Sequence, residues 1–399
     1  MQQKKKVLFF PQNKTHLDNM LPVANVLQTK GYFISFLNAC EVYKQSIYFE
    51  SFSFQVINID LSTSVSFAFL SSFKKIAFLR NFVKKIDLLQ LNDYDYFIYG
   101  NDGALQRVLI AKNKQMKHYL ILDGMISDYT FSTLNLFKFS DTPITDIKRK
   151  VRNILKSVLN NIFAYLPYNY YLPSDVGCSD LDKIFVLSDY INTVIDSQRI
   201  KKTDIITSGM PRYKFLNKNS LIDSLDKNIV YITEAFIWHN DSLSDILQHK
   251  TIKLLVSQLK KNKANAFRLT VRVHPRDDIN NYDYLHNESF VTIEDSKVNI
   301  YETIMRSNII LGVNSTVMLE ALSIDKKVIF LFFNNEYWRY KRSFLTDPIF
   351  KKVFHESEMM FELMKEYNHR IEKNKLKYYF NPNSENSVDI IVNEIIKND

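Results

Sequence analysis

The chain has 399 residues, 46% of them hydrophobic, which is enough for two domains that each bury a core of their own. A net charge of +9 admits nucleic acid, an anionic substrate or an anionic membrane as partners; no zinc-finger or RNA-binding signature accompanies it, so nucleic acid is set aside. Cys40 and Cys178 are too few for a disulfide framework and lack metal-ligand spacing, which excludes the disulfide-rich secreted class and predicts no metal site. In chain order, apolar runs predict a strand from Lys6 to Phe10 and a helix from Leu17 to Thr29 closed by Lys30 and Gly31. Further strands are predicted at Tyr32–Leu37, Phe54–Ile59, Tyr96–Tyr99, His118–Leu122 and Ile184–Leu187, then a helix at Asp189–Ser197 and a strand at Asp204–Thr207. Ser208 to Arg212 breaks the alternation, and the polar stretch Asn217–Asp226 reads as a linker. A second series follows: strands at Asn228–Ile232, Arg268–Val273 and Asn308–Gly312, a helix at Val317–Ser323 and a strand at Val328–Phe333. Last comes a helix capped by Ser387, whose Val388, Ile391, Val392 and Ile395 share one face. Alternation of this kind predicts an α/β fold with two mostly parallel sheets covered by helices. The expected domains are residues 1–216 and 228–384, joined by a linker at 217–227 and followed by a C-terminal helix at 385–399.

Two short motifs stand at carboxyl ends of predicted strands in the second series. In His274-Pro275-Arg276, the proline lacks an N–H and pushes His274 out of the helical region, so the strand ends and the imidazole projects from its edge. In Asn314-Ser315-Thr316, a hydroxyl residue stands at a helix start, where unpaired N–H groups make an anion site. Glu320 is one turn further on, on the same face, where a carboxylate could accept hydrogen bonds from ribose hydroxyls. Open α/β sheets bind ligands at this edge, so the pair reads as a nucleotide phosphate site. Taken singly, His-Pro is also ordinary turn chemistry and Ser-Thr an ordinary cap. Glycine occurs only seven times, and Gly100, Gly124, Gly209 and Gly312 all follow or nearly follow predicted strands. Gly124, Gly209 and Gly312 are accordingly expected to shape the edge of a binding cleft.

These residues resemble a family. Two successive Rossmann-like domains carrying a strand-His-Pro motif and a strand-Ser/Thr-helix motif in the second are similar to the GT-B glycosyltransferases. Within these the chain resembles bacterial surface-polysaccharide enzymes of the sialyltransferase and polysialyltransferase type and the capsule Kdo-transferases. The quoted motifs are Leu122-Asp123-Gly124, with leucine where that family prefers a second acid, His274-Pro275-Arg276 and Ser315-Thr316. Ile205 to Arg212 and the Asn-Ser-Thr…Glu-Ala-Leu run also resemble teichoic-acid CDP-glycerol transferases. The resemblance implies a cleft between the two domains and a C-terminal helix crossing back to the N-terminal one. It also implies transfer of a sugar, with a CMP-activated sialic or ulosonic acid as the expected donor, to a glycan or lipid-linked glycan. Asp123 is then the expected base for the acceptor hydroxyl, with His16, read in the loop after the first strand, as the second candidate. His274, Pro275, Arg276, Asn314, Ser315, Thr316 and Glu320 would hold the donor, with no metal and no further cofactor. A CDP-glycerol-type or UDP-sugar transferase, a UDP-sugar 2-epimerase and a non-catalytic assembly partner remain as alternatives.

No apolar run approaches a membrane span, and the start Met-Gln-Gln-Lys-Lys-Lys leads directly into a strand, so a cytoplasmic location is expected. The basic residues gather with large apolar side chains at Phe67–Leu89 and in the stretch from Ile147 to Tyr171, which includes Lys148, Arg149, Lys150 and Arg152. Such stretches suit either core-facing helices or peripheral contact with an anionic membrane.

Overall fold

The computed structural model describes residues 4–44, 49, 53–67, 70–122, 124, 176–198, 203–217, 228–237, 242–262, 267–313, 315–333, 345, 347–365, 373–383 and 385–397. The chain divides into two compact units, one comprising Met1–Ile126, Phe131–Lys214 and Asn381–Asp399, the other taking in Phe215–Phe380.

Unit 1 is built on seven strands, β1 (Lys6–Phe10), β2 (Phe33–Asn38), β3 (Gln55–Asn58), β4 (Tyr96–Tyr99), β5 (Lys117–Ile121), β6 (Lys183–Val186) and β7 (Asp204–Thr207). They lie in the order β3-β2-β1-β4-β5-β6-β7 with every pairing parallel. The helices α1 (Lys14–Thr29), α2 (Cys40–Tyr43), α3 (Ser72–Leu88), α4 (Ala104–Lys112) and α5 (Asp189–Gln198) lie between them in sequence. Parallel strands need crossovers, and crossover helices cover the faces of the sheet. The central strands are therefore buried on both faces, which is why Val7 to Phe10 and Tyr96 to Tyr99 read as unbroken apolar runs. Helix α1 closes as expected: the Tyr32 N–H donates to Leu27 O and the Gly31 N–H to Gln28 O, with Gly31 at φ +93°.

Unit 2 is built on β8 (Asn228–Ile232), β9 (Arg268–Arg272), β10 (Val291–Glu294), β11 (Ile309–Gly312), β12 (Lys327–Leu331) and β13 (Lys352–Val353), in the order β10-β9-β8-β11-β12-β13, again parallel throughout. Its helices are α6 (Ser242–Lys261), α7 (Ile300–Arg306), α8 (Thr316–Ser323), α9 (Glu356–Met364) and α10 (Lys373–Tyr379). Leu255, Val271, Leu311, Ile329 and Tyr282 lie in one buried apolar cluster. In both units the chain enters at the middle of the sheet, winds outward to one edge, then crosses to the other side of its first strand. The resulting switch points, between β1 and β4 and between β8 and β11, are where open α/β sheets leave a crevice at their carboxyl ends.

The last helix, α11 (Ser387–Ile396), belongs to unit 1 and packs on α1, with Ile391, Val392 and Ile395 buried, so the C-terminal helix does return to the N-terminal domain. Lys183 at the start of β6 secures it, its ammonium donating to Glu394 Oε2 at 2.6 Å and to Glu394 O at 2.9 Å, and this pairing holds the Glu394 carboxyl below its usual range. Asn386, not Ser387, occupies the N-cap, and its side chain makes no capping hydrogen bond; Ser387 is instead fully buried.

Of the two basic-apolar stretches, Ile147–Tyr171 lies outside the described residues. In the first, α3 turns Leu79, Phe82 and Ile86 into the core and leaves Phe73 and Leu88 exposed, so that helix is core-facing. Among the described residues no helix is long and apolar enough to cross a membrane.

Candidate functional site

In unit 2, register places the carboxyl ends of β9, β8 and β11 side by side: Arg272 pairs with Ile232, and Leu311 with Tyr231. The residues that follow these strands therefore share one sheet edge. His274 comes after β9, Thr233 and Glu234 after β8, and Ser315 after β11. With strands about 4.8 Å apart, the ends of β9 and β11 stand roughly 10 Å from each other, two strand spacings.

The His-Pro turn is tightly specified. The His274 N–H donates to Thr233 Oγ1 at 2.8 Å, and the Asp277 N–H donates to His274 O at 2.9 Å. The Arg276 N–H donates to His274 Nδ1 at 3.1 Å, so in the neutral ring the proton sits on Nε2. His274 is half-buried, while Pro275 and Arg276 are exposed.

At the helix start, Ser315 is the N-cap of α8 with extended backbone (φ −69°, ψ 140°), but its side chain makes no capping hydrogen bond. Ser315 is thus the cap residue by position, as expected, without a side-chain capping bond. Ser315 and Thr316 are half-buried. Gly312 lets α8 begin close to the sheet, since a Cβ there would lie 2.9 Å from Met318 Sδ and 3.2 Å from Ile232 O. Glu320, one turn on, is only 2% exposed, so its carboxylate presents almost no open surface to a ribose. Asn314 lies outside the described residues.

In unit 1 the equivalent edge carries the segment after β1, Gln12 to His16, and the segment after β4, Gly100 to Gly103. His16 is not in a loop. Asn13 caps α1 with its side-chain oxygen accepting the His16 N–H at 2.9 Å, which starts the helix three residues earlier than the apolar pattern implied. The His16 ring is buried against Gly100, where a Cβ would come within 2.3 Å of Nδ1. Nδ1 accepts the Gln12 N–H at 3.2 Å, and Nε2 stands 3.4 Å from the Asn13 side-chain nitrogen, so both ring nitrogens face donors. A hydrogen bond from Asn101 to Gln12 joins the two segments. Asp102, 2% exposed, accepts the N–H groups of Gly177 at 2.9 Å and Ser179 at 3.0 Å, tying the segment before β6 to the end of β4.

Asp123 lies outside the described residues. It follows Leu122, whose N–H donates to Phe185 O at 2.9 Å beyond the end of β5, and it precedes Gly124, at φ +88° with open space around it. Gly209, expected at a cleft edge, seats the returning chain instead: at φ +71°, a Cβ would lie 2.3 Å from Pro382 O. Among the described residues no three His, Cys, Asp or Glu side chains are grouped as metal ligands.

Sequence reading missed Gln12, Asn13, Asn101 and Asp102 in unit 1, and Thr233, Gln248 and Tyr282 in unit 2. Asn13 was within reach, as a cap residue directly ahead of a helix. The others hydrogen-bond to residues far away in sequence and carry no local signal.

No protein family matches the chain, and no curated protein matches its sequence. Solved structures do match over nearly its whole length. A histidine-to-asparagine variant of the wall teichoic acid polymerase TagF, soaked with CDPG, aligns over 99% of this chain and 88% of its own at a TM-score of 0.55 and 13% identity. A glycosyltransferase of kitacinnamycin aligns over 98% and 99% at a TM-score of 0.60 and 10% identity. A UDP-GlcNAc 2-epimerase from Methanocaldococcus jannaschii aligns over 99% and 100% at a TM-score of 0.55 and 13% identity. At these identities the likeness shows the fold alone, two parallel-sheet α/β domains of the GT-B class.

Proposed function

We propose that this chain transfers a sugar or related unit from a nucleotide-activated donor, held at the carboxyl edge of the unit 2 sheet, to a hydroxyl of a glycan or lipid-linked glycan. One observation carries the reading: the ends of β9 and β11, flanking β8, lead to a histidine with its proton on Nε2 and to a helix start whose serine side chain makes no capping hydrogen bond. A ring N–H and the first N–H groups of a helix are both donors suited to phosphate oxygens, and they suit the negative charge that builds on a departing phosphate. Arg276, exposed beside them, adds a cation. In this reading no metal ion is needed, so turnover survives EDTA.

The base for the acceptor hydroxyl is Asp123 in this proposal, with His16 second. His16 starts from the weaker position, because its Nδ1 lone pair already accepts the Gln12 N–H. Asp123→Asn should lower turnover by about 10²-fold or more with nucleotide binding intact. Retained turnover moves the role to His16, which His16→Ala tests beside it.

For the donor, the pairing of His274-Pro275 with Ser315-Thr316 supports CMP or CDP over UDP or GDP. The test is thermal stabilisation by CMP, CDP, UDP, GDP and TDP, where a ligand of the folded state at a hundredfold excess over its Kd contributes about 2.7 kcal/mol. His274→Ala and Ser315→Ala should each weaken binding without unfolding the protein, and unchanged affinity in both removes the site. A preference for UDP favours the second reading, a UDP-sugar 2-epimerase, which the shared fold of such enzymes supports. Release of free nucleotide and a 2-epimer without any acceptor would decide for it.

A further inference from the structure

The turn that carries His274 is held from behind by two buried side chains, Gln248 on α6 and Tyr282 in the 3-10 segment Ile279–Leu285. Both have essentially no exposed surface. The Gln248 amide grips the loop after β8 by both polar groups of one residue: its Oε1 accepts the Glu234 N–H at 2.7 Å, and its Nε2 donates to Glu234 O at 3.2 Å. The same Nε2 donates to Tyr282 Oη at 3.2 Å. Tyr282 in turn donates to Asp277 Oδ2 at 2.7 Å, and the Asp277 N–H donates to His274 O. Burial first, and then the Asp277 carboxylate, push the Tyr282 phenol far up, so it remains a donor in this chain. Thr233, next to Glu234, accepts the His274 N–H, which closes the circuit. One buried amide thus joins the loop after β8 to the turn after β9.

Only an amide satisfies this arrangement. A carboxylate in place of Gln248 would set an oxygen against Glu234 O and offer no donor to Tyr282, whose own proton goes to Asp277. An apolar side chain would remove the hydrogen bonds that Gln248 makes to the half-buried Glu234 N–H and C=O.

We propose that Gln248 and Tyr282 are positioning residues that set the orientation and the Nε2–H tautomer of His274 for phosphate binding. The binding part rests on the function proposed above; the orientation does not, and the experiment separates them. Full-length protein labelled with ¹⁵N-histidine is examined by NMR at about pH 8, where an ordinary histidine is neutral. His274→Ala assigns the resonance, and nucleotide affinity is measured by calorimetry with whichever of CMP, CDP or UDP binds the wild type most tightly. The wild type should show His274 as the Nε2–H tautomer. In Tyr282→Phe and Gln248→Leu the two ring nitrogens should move toward averaged shifts, and nucleotide affinity should fall by about tenfold, the loss of one well-formed hydrogen bond to a site group. Tyr284→Phe, whose hydroxyl contacts His249 at 3.0 Å outside the circuit, should change neither. Gln248→Glu should not restore the signal. If the His274 nitrogens are unmoved in both variants, the brace is refuted whatever the nucleotide result. If they move while affinity is unchanged in a wild type that binds, the orientation does not serve binding. If they move and the wild type binds none of the nucleotides, the proposed function fails and the brace stands.

Discussion

Gly100→Ala offers a sharp test of the unit 1 geometry, because its consequence can be worked out atom by atom. A Cβ at this position would lie 2.2 Å from His16 Cγ, 2.3 Å from Nδ1 and 2.6 Å from Cβ. Carbon atoms in ordinary contact stand about 3.5 Å apart, so the imidazole must retreat by roughly 1.3 Å. Rotating the ring does not suffice, since the His16 Cβ is fixed to the first turn of α1. The start of the helix must shift, straining the Asn13 cap at 2.9 Å and the Gln12 hydrogen bond at 3.2 Å. Overpacking costs about 1–3 kcal/mol and loss of a cap about 1 kcal/mol, which together predict a loss of roughly 2–4 kcal/mol. For a domain of this size that lowers Tm by about 4–16 °C. The control is His16→Gly, which removes all three contacting atoms, whereas His16→Ala would keep the Cβ. In the His16→Gly background, Gly100→Ala should cost about 2 kcal/mol less than in wild type, as measured by urea unfolding of the four proteins. Costs that add to within about 0.5 kcal/mol would show that the two residues do not press on one another and refute the argument.

Gly209→Ala combines a left-handed backbone at φ +71° with a Cβ 2.3 Å from Pro382 O, so it should displace the 381–383 segment and cost about 3 kcal/mol; limited proteolysis should then release the C-terminal helix, and unchanged resistance would count against this seat. His118 accepts from the Tyr99 hydroxyl at Nδ1 and donates from Nε2 to Asn113 O, both at 2.9 Å, and burial lowers its pKa below the ordinary value. As pH falls below about 6.5 the unfolded chain takes up a proton that the folded ring refuses, so stability drops with pH in that window, and His118→Gln should flatten this part of the urea-midpoint profile. Glu294, 6% exposed, faces Arg272, Arg306 and the Thr303 hydroxyl. Glu294→Ala leaves buried Arg272 short of its carboxylate and should cost about 3 kcal/mol or more, against about 1 kcal/mol or less for Arg306→Ala at the half-exposed end; equal losses in equilibrium unfolding would contradict that ranking.

Much of this fold could be read locally because a parallel strand buried on both faces must be a short apolar run. Asn228–Ile232 was read with the bounds the structure shows, and Gly31, at φ +93°, closes α1 where the sequence placed its end. His274 and Ser315 could be placed for the same local reason: the proline after His274 stops its strand, and Ser315 stands directly ahead of a helix. His16 was misplaced because hydrophobic spacing, not the Asn13 cap, was used to start the helix. What the chain determines by itself is therefore whatever is settled within a few residues, namely strand runs, helix ends and the turns that expose a side chain. The tertiary structure alone decided which strands lie side by side, where the 381–399 segment returns, and why Gln248 is an amide. Gln248 meets Glu234 across 14 residues and Tyr282 across 34, and the Lys183–Glu394 pair closes over 211. Such buried polar partners leave no periodic trace in the sequence, because each is specified by the loops that folding brings to the same place.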